Sequence, residues 1–562
     1  MTAILECVPN FSEGRHPDRI RQITARIEAV SGAHLLHVDP GHATNRTVVT
    51  FAGSPAAVVE AAFQAIATAA ELIDMRQHTG THPRMGATDV CPLVPISGIT
   101  LTEAAEWSRR LAERVGRELG IPVYLYEAAQ PDPARRNLAI IRAGEYEGLA
   151  EKIQRPEWRP DFGPAVFQPK CGATVIGARG FLVAYNVNLN TTSTRRANAV
   201  AFDVREAGRP RREGNPLTGK PVMDAAGQPV MDPGTLKAVK AIGWYIPEYG
   251  VAQVSMNLTD LAVTPVHTAF DEVCRSADAR GLRATGSELV GLVPLSAMLD
   301  AGRHYLRRQQ RSLGVGEAEL IKIAVKSLGL EELAPFKPEE RIIEYRLRAT
   351  DARPLGAMSL IAFADETASE SPAPGGGSIA AYLGALGAAL GTMVANLSAH
   401  KRGWDDRWEE FSRWAEAGQA LKDRLLRLVD EDTQAFNRVM EALALPKGTA
   451  EEKAARKAAL AAANRGAIEV PLEVLRAAAE AFPLLRAMAE LGNPASASDA
   501  GVGALALRAA MRGAWLNVRI NLPGLGDQAA GAAMLAEADA LVARAEADEA
   551  GVLALVEAQL TR

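Results

Sequence analysis

Short apolar runs broken by turn residues fill the first part of the chain, and long stripes at helical spacing fill the rest. Residues 3–8 read as a strand, and 18–30 place Ile20, Ile23, Ile27 and Val30 on one helical face. Strands 34–38 and 46–51 flank the turn segment 39–45. Ser54-Pro55 then supplies an N-cap and a first-turn proline for a helix reaching Ile73. The run Val90-Cys91-Pro92-Leu93-Val94-Pro95-Ile96 closes the set as a strand. The order then recurs: strand 181–189, helix 194–205, strands 239–245 and 251–258, helix 265–280, strand 288–293.

The order β-α-β-β-α-β, twice over, predicts two ferredoxin-like subdomains, each a sheet with helices on one face. The bare faces need cover, so stacked sheets are expected. A short internal match accompanies the repeat: Asp89 stands four residues before Leu93-Val94-Pro95-Ile96-Ser97, and Glu288 four before Leu292-Val293-Pro294-Leu295-Ser296. Between the copies, residues 160–172 combine prolines, glycines and two phenylalanines, which suits a connector lining a groove. The proline-rich stretch 209–235 reads either as an inserted hairpin or flap, or as a dispensable surface loop.

Beyond Tyr345 turn composition takes over, strand signals stop and alanine-rich helices follow. The expected organisation is an α+β region in two subdomains, 1–180 and 181–345, a linker at 346–357, and an all-α helical bundle over 358–562. The helix after Gly375-Gly376-Gly377-Ser378 carries Gly384, Gly387 and Gly391 on one face, so a neighbouring helix can approach closely. The glycine run itself has two readings: amide groups at a helix start that welcome an anion such as a carboxylate, or packing alone. A long helix over 407–442 sets Leu421, Leu425, Leu428, Phe436 and Val439 at helical spacing, with Asp432 in the middle of that apolar face. Burial there raises a carboxyl pKa toward the general acid–base range, with Asp430 beside it to reinforce the shift; the other reading is a carboxylate paired with a buried arginine. Arg508, Arg512, Asn517, Arg519 and Asn521 are the partners on offer.

At 562 residues the chain needs several domains. Its 62 basic and 67 acidic residues nearly balance, which gives no electrostatic case for nucleic acid or an anionic membrane. Cys7, Cys91, Cys171 and Cys274 stand far apart, and the N-terminus lacks a basic-then-apolar signal segment, so a reducing cytoplasm is expected. The one stretch near membrane length, 379–397, is rich in alanine and glycine and reads as a buried bundle helix. No strand-GxxxxGK[ST] arrangement marks a nucleotide site.

The strongest chemical signal is the segment 77–89, Gln-His-Thr-Gly-Thr-His-Pro-Arg-Met-Gly-Ala-Thr-Asp, whose glycines and proline exclude a helix. Loops of this make carry chemistry. An imidazole both takes and returns a proton near neutrality, so His82 or His78 is the candidate catalyst. A metal site is the rival, because the histidines stand four apart, yet on a loop and without the glutamate of HExxH. A loop histidine merely bonded to backbone is the plainest reading.

Val8-Pro9-Asn10-Phe11-Ser12-Glu13-Gly14, the 78–89 loop, Asp161-Phe162-Gly163-Pro164 and Ile242-Gly243-Trp244-Tyr245 resemble glutamate formimidoyltransferase. Ala373-Pro374-Gly375-Gly376-Gly377-Ser378, Val429-Asp430-Glu431-Asp432 and Asn517-Val518-Arg519-Ile520-Asn521-Leu522 resemble formimidoyltetrahydrofolate cyclodeaminase. The likeness spans nearly the whole chain, in the order of the bifunctional family. It implies transfer of the formimidoyl group of N-formimidoyl-L-glutamate to N5 of tetrahydrofolate, then ring closure to 5,10-methenyltetrahydrofolate with loss of ammonia. It puts the transferase histidine on His82 and the cyclodeaminase aspartate on Asp432. Folate contacts map to Gly163, Pro164, Ala165, Val166, Phe167, Gln168, Pro169, Lys170, Cys171 and Gly172. From charge and loop position, Asp39 or Asp89 is expected to orient the imidazole, and Arg46 or Arg84 to hold substrate carboxylates. The resemblance also implies polyglutamylated folate, a homo-oligomer, and no metal, nucleotide or flavin. The 209–235 insertion departs from shorter members. Two rivals remain: a formyltransferase using N-formylglutamate with a methenyltetrahydrofolate cyclohydrolase, and a folate-binding scaffold without catalysis.

Overall fold

The computed structural model describes residues 3–42, 44–80, 83–214, 219–348 and 355–561. The chain forms two compact units, Met1–Asp300 with Leu328–Thr350, and Ala301–Ser327 with Asp351–Arg562. The first is an α/β region with two main sheets, the second a bundle of helices.

In the first unit β1 (Ile4–Cys7), β2 (Asn10–Phe11), α1 (Pro17–Glu28), β3 (Ala33–Gly41), β4 (Arg46–Gly53), α2 (Pro55–Leu72) and β5 (Thr88–Ser97) follow the order read from the sequence. Three elements then extend the sheet beyond that reading: α3 (Leu101–Glu118), opened by a Thr100/Glu103 capping box, and the strands β6 (Val123–Glu127) and β7 (Thr174–Ala178). β7 runs parallel to β5, and β6 lies parallel on its far side, while the other pairings are antiparallel. One face buries Leu5, Cys7, Val49, Phe51, Cys91, Leu93 and Ile176 against α1, α2 and α3. The opposite face is covered in part by two short helices, α4 (Leu138–Arg142) and α5 (Glu145–Lys152).

The second sheet comes from β8 (Val183–Leu189), α6 (Thr194–Val204), a small hairpin of β9 (Arg209–Pro210) and β10 (Met231–Asp232), β11 (Val239–Ile246), β12 (Val251–Leu258), α7 (Val266–Asp278) and β13 (Ala284–Val290). The strand order is β11-β12-β8-β13, all antiparallel. The 209–235 insertion is therefore a hairpin at its base, with residues 215–218 outside the described residues. β13 starts earlier than the reading, because Ala284–Val290 pairs with β8 while Val293 has left the sheet.

α8 (Leu295–Arg308), α9 (Glu317–Leu328), α10 (Pro338–Arg341) and α11 (Ile343–Arg348) follow. Ile343 and Leu347 of α11 pack on Leu36 and Ala52 of the first sheet. Residues 349–354 of the sequence boundary at 346–357 lie outside the described set, and 301–327 pack with the helical unit, where the amide of Leu313 donates to Ser412 Oγ at 3.0 Å.

The bundle comprises α12 (Leu360–Thr367), α13 (Gly376–Ala399), α14 (Trp408–Ala444), α15 (Ala450–Leu491), α16 (Ala497–Asn521) and α17 (Gln528–Leu560). α13 alone among the described helices is long and apolar enough to cross a membrane, and most of it is buried among its neighbours. Gly384, Gly387 and Gly391 admit Leu425, Leu507 and Leu484 against its backbone, where any Cβ would crowd them.

Candidate active sites

The 77–89 loop leaves α2 and returns into β5, so its two ends are fixed by the sheet core. His82 lies outside the described residues, while Gly80 and Pro83 on either side are described. Asn45 anchors the approach: its Oδ1 accepts the Gly14 amide and its Nδ2 donates to Thr79 O, both at 3.0 Å. It holds a left-handed φ of 49°, a conformation asparagine tolerates better than most residues.

His78 is committed at both ring nitrogens. Nε2 donates to Asn45 O at 2.9 Å, and Nδ1 accepts from Arg84 Nε at 3.3 Å. Burial first, with Arg84 beside it, holds its pKa below the usual histidine value, so the ring is neutral and fixed in one tautomer. Arg84 in turn donates to Glu145 and Glu147 of α5, at 3.1 Å and 2.6 Å for the nearest oxygens. Asp89 is fully buried, accepts the Met85 amide at 3.1 Å and pairs with Arg142 of α4. Arg46 opposes Gly41 across the β3–β4 hairpin and is half-buried; burial lowers its pKa against the pull of Asp89 and Asp39. Asp39 is an exposed position on β3.

The connector is brought onto this loop. Gly86 bridges Gly172, Ala87 N donates to Cys171 O at 2.8 Å, and Ala173 N to Met85 O at 3.1 Å. Gly172 has a left-handed φ of 69°, and a Cβ there would strike Met85 O. Lys170 reaches Glu71 O with Nζ and accepts the Met75 amide, both at 2.8 Å. Tyr146 of α5 donates to Pro169 O at 2.6 Å and packs its ring 5.5 Å from Phe167, while Gln168 O takes the Gly172 amide at 2.7 Å. At the other end Gly163 needs φ 79° where it crosses Ile121. Pro164, Ala165 and Val166 span the interval, with Val166 exposed.

In the helical unit Asp432 lies mid-α14 against the start of α13. Its Oδ2 is 3.0 Å from Ser378 Oγ, and a Cβ at Gly377 would land on the carboxylate. Burial raises the Asp432 pKa above the usual carboxylate value, opposed by hydrogen bonds from the Ser378 side chain and amide. The glycine run thus packs against a carboxyl group that belongs to the chain itself. Asp430 faces elsewhere: its oxygens accept the amides of Leu355 and Gly356 at 3.1 Å and 3.2 Å. The arginines named as possible partners are engaged away from Asp432, Arg508 with Glu546 and Glu549, Arg512 and Arg519 over Trp515. Asn517 and Asn521 donate to Gly513 O and Ala467 O, both at 2.9 Å. A pocket of about 380 Å³ beside the α13 start is lined by Pro374, Gly375, Gly376, Ile379 and Gly513. Among the described residues no group of three or more His, Cys, Asp and Glu could hold a metal ion.

The sequence reading missed Arg142, Glu145 and Glu147, which hold Asp89 and Arg84 from more than fifty positions away. It also missed Asn45 as an anchor, although an asparagine in a turn was a usable signal.

Family models for the N-terminal subdomain of the formiminotransferase domain, the formiminotransferase domain, and formiminotransferase-cyclodeaminase match residues 4–179, 184–348 and 359–540. The chain is 43% identical over 560 residues to the formimidoyltransferase-cyclodeaminase of Sus scrofa, covering 100% of each chain. It belongs to the formimidoyltransferase-cyclodeaminase family. The first half is 39% identical to the glutamate formimidoyltransferase of Streptococcus pyogenes serotype M1, over 55% of this chain and 94% of that one. A 192-residue stretch is 41% identical to a methenyltetrahydrofolate cyclohydrolase of Methylorubrum extorquens, over 34% of this chain and 92% of that one.

Proposed function

We propose that the chain is a bifunctional folate enzyme of histidine degradation. It transfers the formimidoyl group from N-formimidoyl-L-glutamate to N5 of tetrahydrofolate and closes 5-formimidoyltetrahydrofolate to 5,10-methenyltetrahydrofolate with release of ammonia. The observation that carries this reading is full-length similarity to a formimidoyltransferase-cyclodeaminase, with both halves in the same order.

In the first step N5 attacks the amidine carbon, the N5 proton passes to His82, and His82 returns a proton to the departing glutamate nitrogen. The commitment of both His78 nitrogens supports His82 as the shuttle. Asp89 and Arg84 shape the loop through Arg142, Glu145 and Glu147, which leaves Asp39 of β3 to orient the imidazole and Arg46 of β4 to hold a substrate carboxylate. The 163–172 connector receives the folate, a placement supported by its hydrogen bonds to the loop. In the second step N10 forms a bond to the amidine carbon and gives its proton to the Asp432 carboxylate. Asp432 then protonates the amino nitrogen as its bond to carbon breaks. With the amidine entering protonated, the methenyl product keeps the positive charge and ammonia leaves neutral.

The finer architecture belongs to the same proposal: two ferredoxin-like halves with stacked sheets, for which the β11-β12-β8-β13 order is the support. So do polyglutamylated folate as substrate, a cytoplasmic setting and a homo-oligomer. The Methylorubrum relative favours a second reading, in which the helical unit hydrolyses the methenyl ring. The test is a tetrahydrofolate-dependent assay with formimidoylglutamate, following glutamate, methenyltetrahydrofolate and ammonia together. All three are expected at equal yield. Glutamate without ammonia would remove the cyclodeaminase half and favour the cyclohydrolase.

A further inference from the structure

Ser378 Oγ is fully buried and lies 2.9 Å from Val429 O, 3.0 Å from Asp432 Oδ2 and 3.2 Å from Thr433 Oγ1. A hydroxyl has one proton, so it cannot donate to Val429 and Asp432 at once. The two acceptors suit two states of one carboxyl group. With Asp432 ionised, Ser378 donates to Oδ2 and accepts from Thr433. With Asp432 protonated, the new O–H donates to Ser378 Oγ, and Ser378 turns its own proton to Val429 O. The buried hydroxyl keeps a partner in both states, so neither incurs the cost of an orphaned polar atom.

We propose that Ser378 is a positioning residue for ring closure, a hydroxyl switch that lets Asp432 take a proton and give it back while the carboxylate stays in place. This rests on the reading of Asp432 as the proton carrier. The N10 proton passes to Asp432 as the N10–C bond forms, and from Asp432 to the amino nitrogen as ammonia departs. Ser378 turns toward Val429 in the first half and back in the second, and its proton never leaves the oxygen.

The fixed surroundings favour such a device. A Cβ at position 377 would occupy the carboxylate's place and push the end of the Asp432 side chain aside, so glycine there lets the carboxylate sit against the start of α13. The first turn of α13 carries no acidic residue. On α14 the neighbouring Asp430 is bound to the Leu355 and Gly356 amides, and Glu431 is exposed. On α16 Arg512 and Arg519 lie over Trp515, and the Asn517 amide sits near Gly376.

The experiment follows ammonia release from supplied 5-formimidoyltetrahydrofolate across pH in full-length wild type, Ser378→Ala, Thr433→Val and Asp432→Asn, with circular dichroism as the folding control. Ser378→Ala removes a donor to the ionised form, so the acidic limb moves up by about one pH unit. At the wild-type optimum kcat falls about tenfold or more, with KM for the folate unchanged. Thr433→Val moves the limb the same way by less. A loss uniform in pH, or a change in KM alone, overturns the switch and leaves Asp432 standing. Ammonia release by Asp432→Asn overturns both. Should Ser378→Ala fail to fold, an unmoved limb in Thr433→Val overturns the switch.

Discussion

Around the 77–89 loop, side chains are held by charge: Asp89 by Arg142, Arg84 by Glu145 and Glu147, with His78 wedged between Arg84 and a carbonyl. At the α13–α14 contact one carboxylate is held by a helix start and a single hydroxyl, and the arginines of α16 are occupied elsewhere. The contrast suits the two reactions. Transfer needs a loop held in one shape between two substrates, and these ion pairs supply that hold. On the proposed reading, ring closure acts on one bound folate and uses a carboxyl group that exchanges a proton, which the burial of Asp432 favours by raising its pKa.

The largest expected effect separates the two sites outright. His82→Ala should lower formimidoyl transfer by about a thousandfold, within the range for loss of a general base, while conversion of supplied 5-formimidoyltetrahydrofolate stays at the wild-type rate. Glutamate release and methenyl absorbance measured on one preparation check it. Gly377→Ala is the mirror image. Its new methyl group displaces the flexible end of Asp432, so ammonia release should fall roughly tenfold to a hundredfold while transfer is untouched.

Two further changes sharpen the claim that charge and backbone shape the first site. Asp89→Asn strips a buried ion pair of one partner and should cost about 3 kcal/mol of stability, read by denaturant unfolding of the full chain. A cost near zero would mean that Arg142 finds another acceptor. Gly172→Ala forces a left-handed φ and a clash with Met85 O, at about 1–3 kcal/mol, with a raised KM for tetrahydrofolate as the functional readout.

The pattern of the chain carried local information well and distant pairings poorly. The Leu421, Leu425 and Leu428 stripe located α14 and flagged Asp432, because helical periodicity is a local property. The Gly384, Gly387 and Gly391 face foretold a close helix approach for the same reason. The strands β6 and β7 escaped notice: parallel strands buried on both faces lack the alternation that marks a half-exposed strand. Arg142, Glu145 and Glu147 were illegible as partners, since nothing in a run of charges along the chain says which buried group each will meet. Asp430 and Asp432 looked like a pair, but neighbours two apart on a helix point different ways, and Asp430 binds the amides of Leu355 and Gly356 instead.

The most direct test of two sites acting in series is Asp432→Asn supplied with formimidoylglutamate and tetrahydrofolate. Glutamate should appear at the wild-type rate and 5-formimidoyltetrahydrofolate should accumulate without ammonia, until added His82→Ala protein restores methenyltetrahydrofolate and ammonia together. Undiminished ammonia release by Asp432→Asn alone would contradict the account.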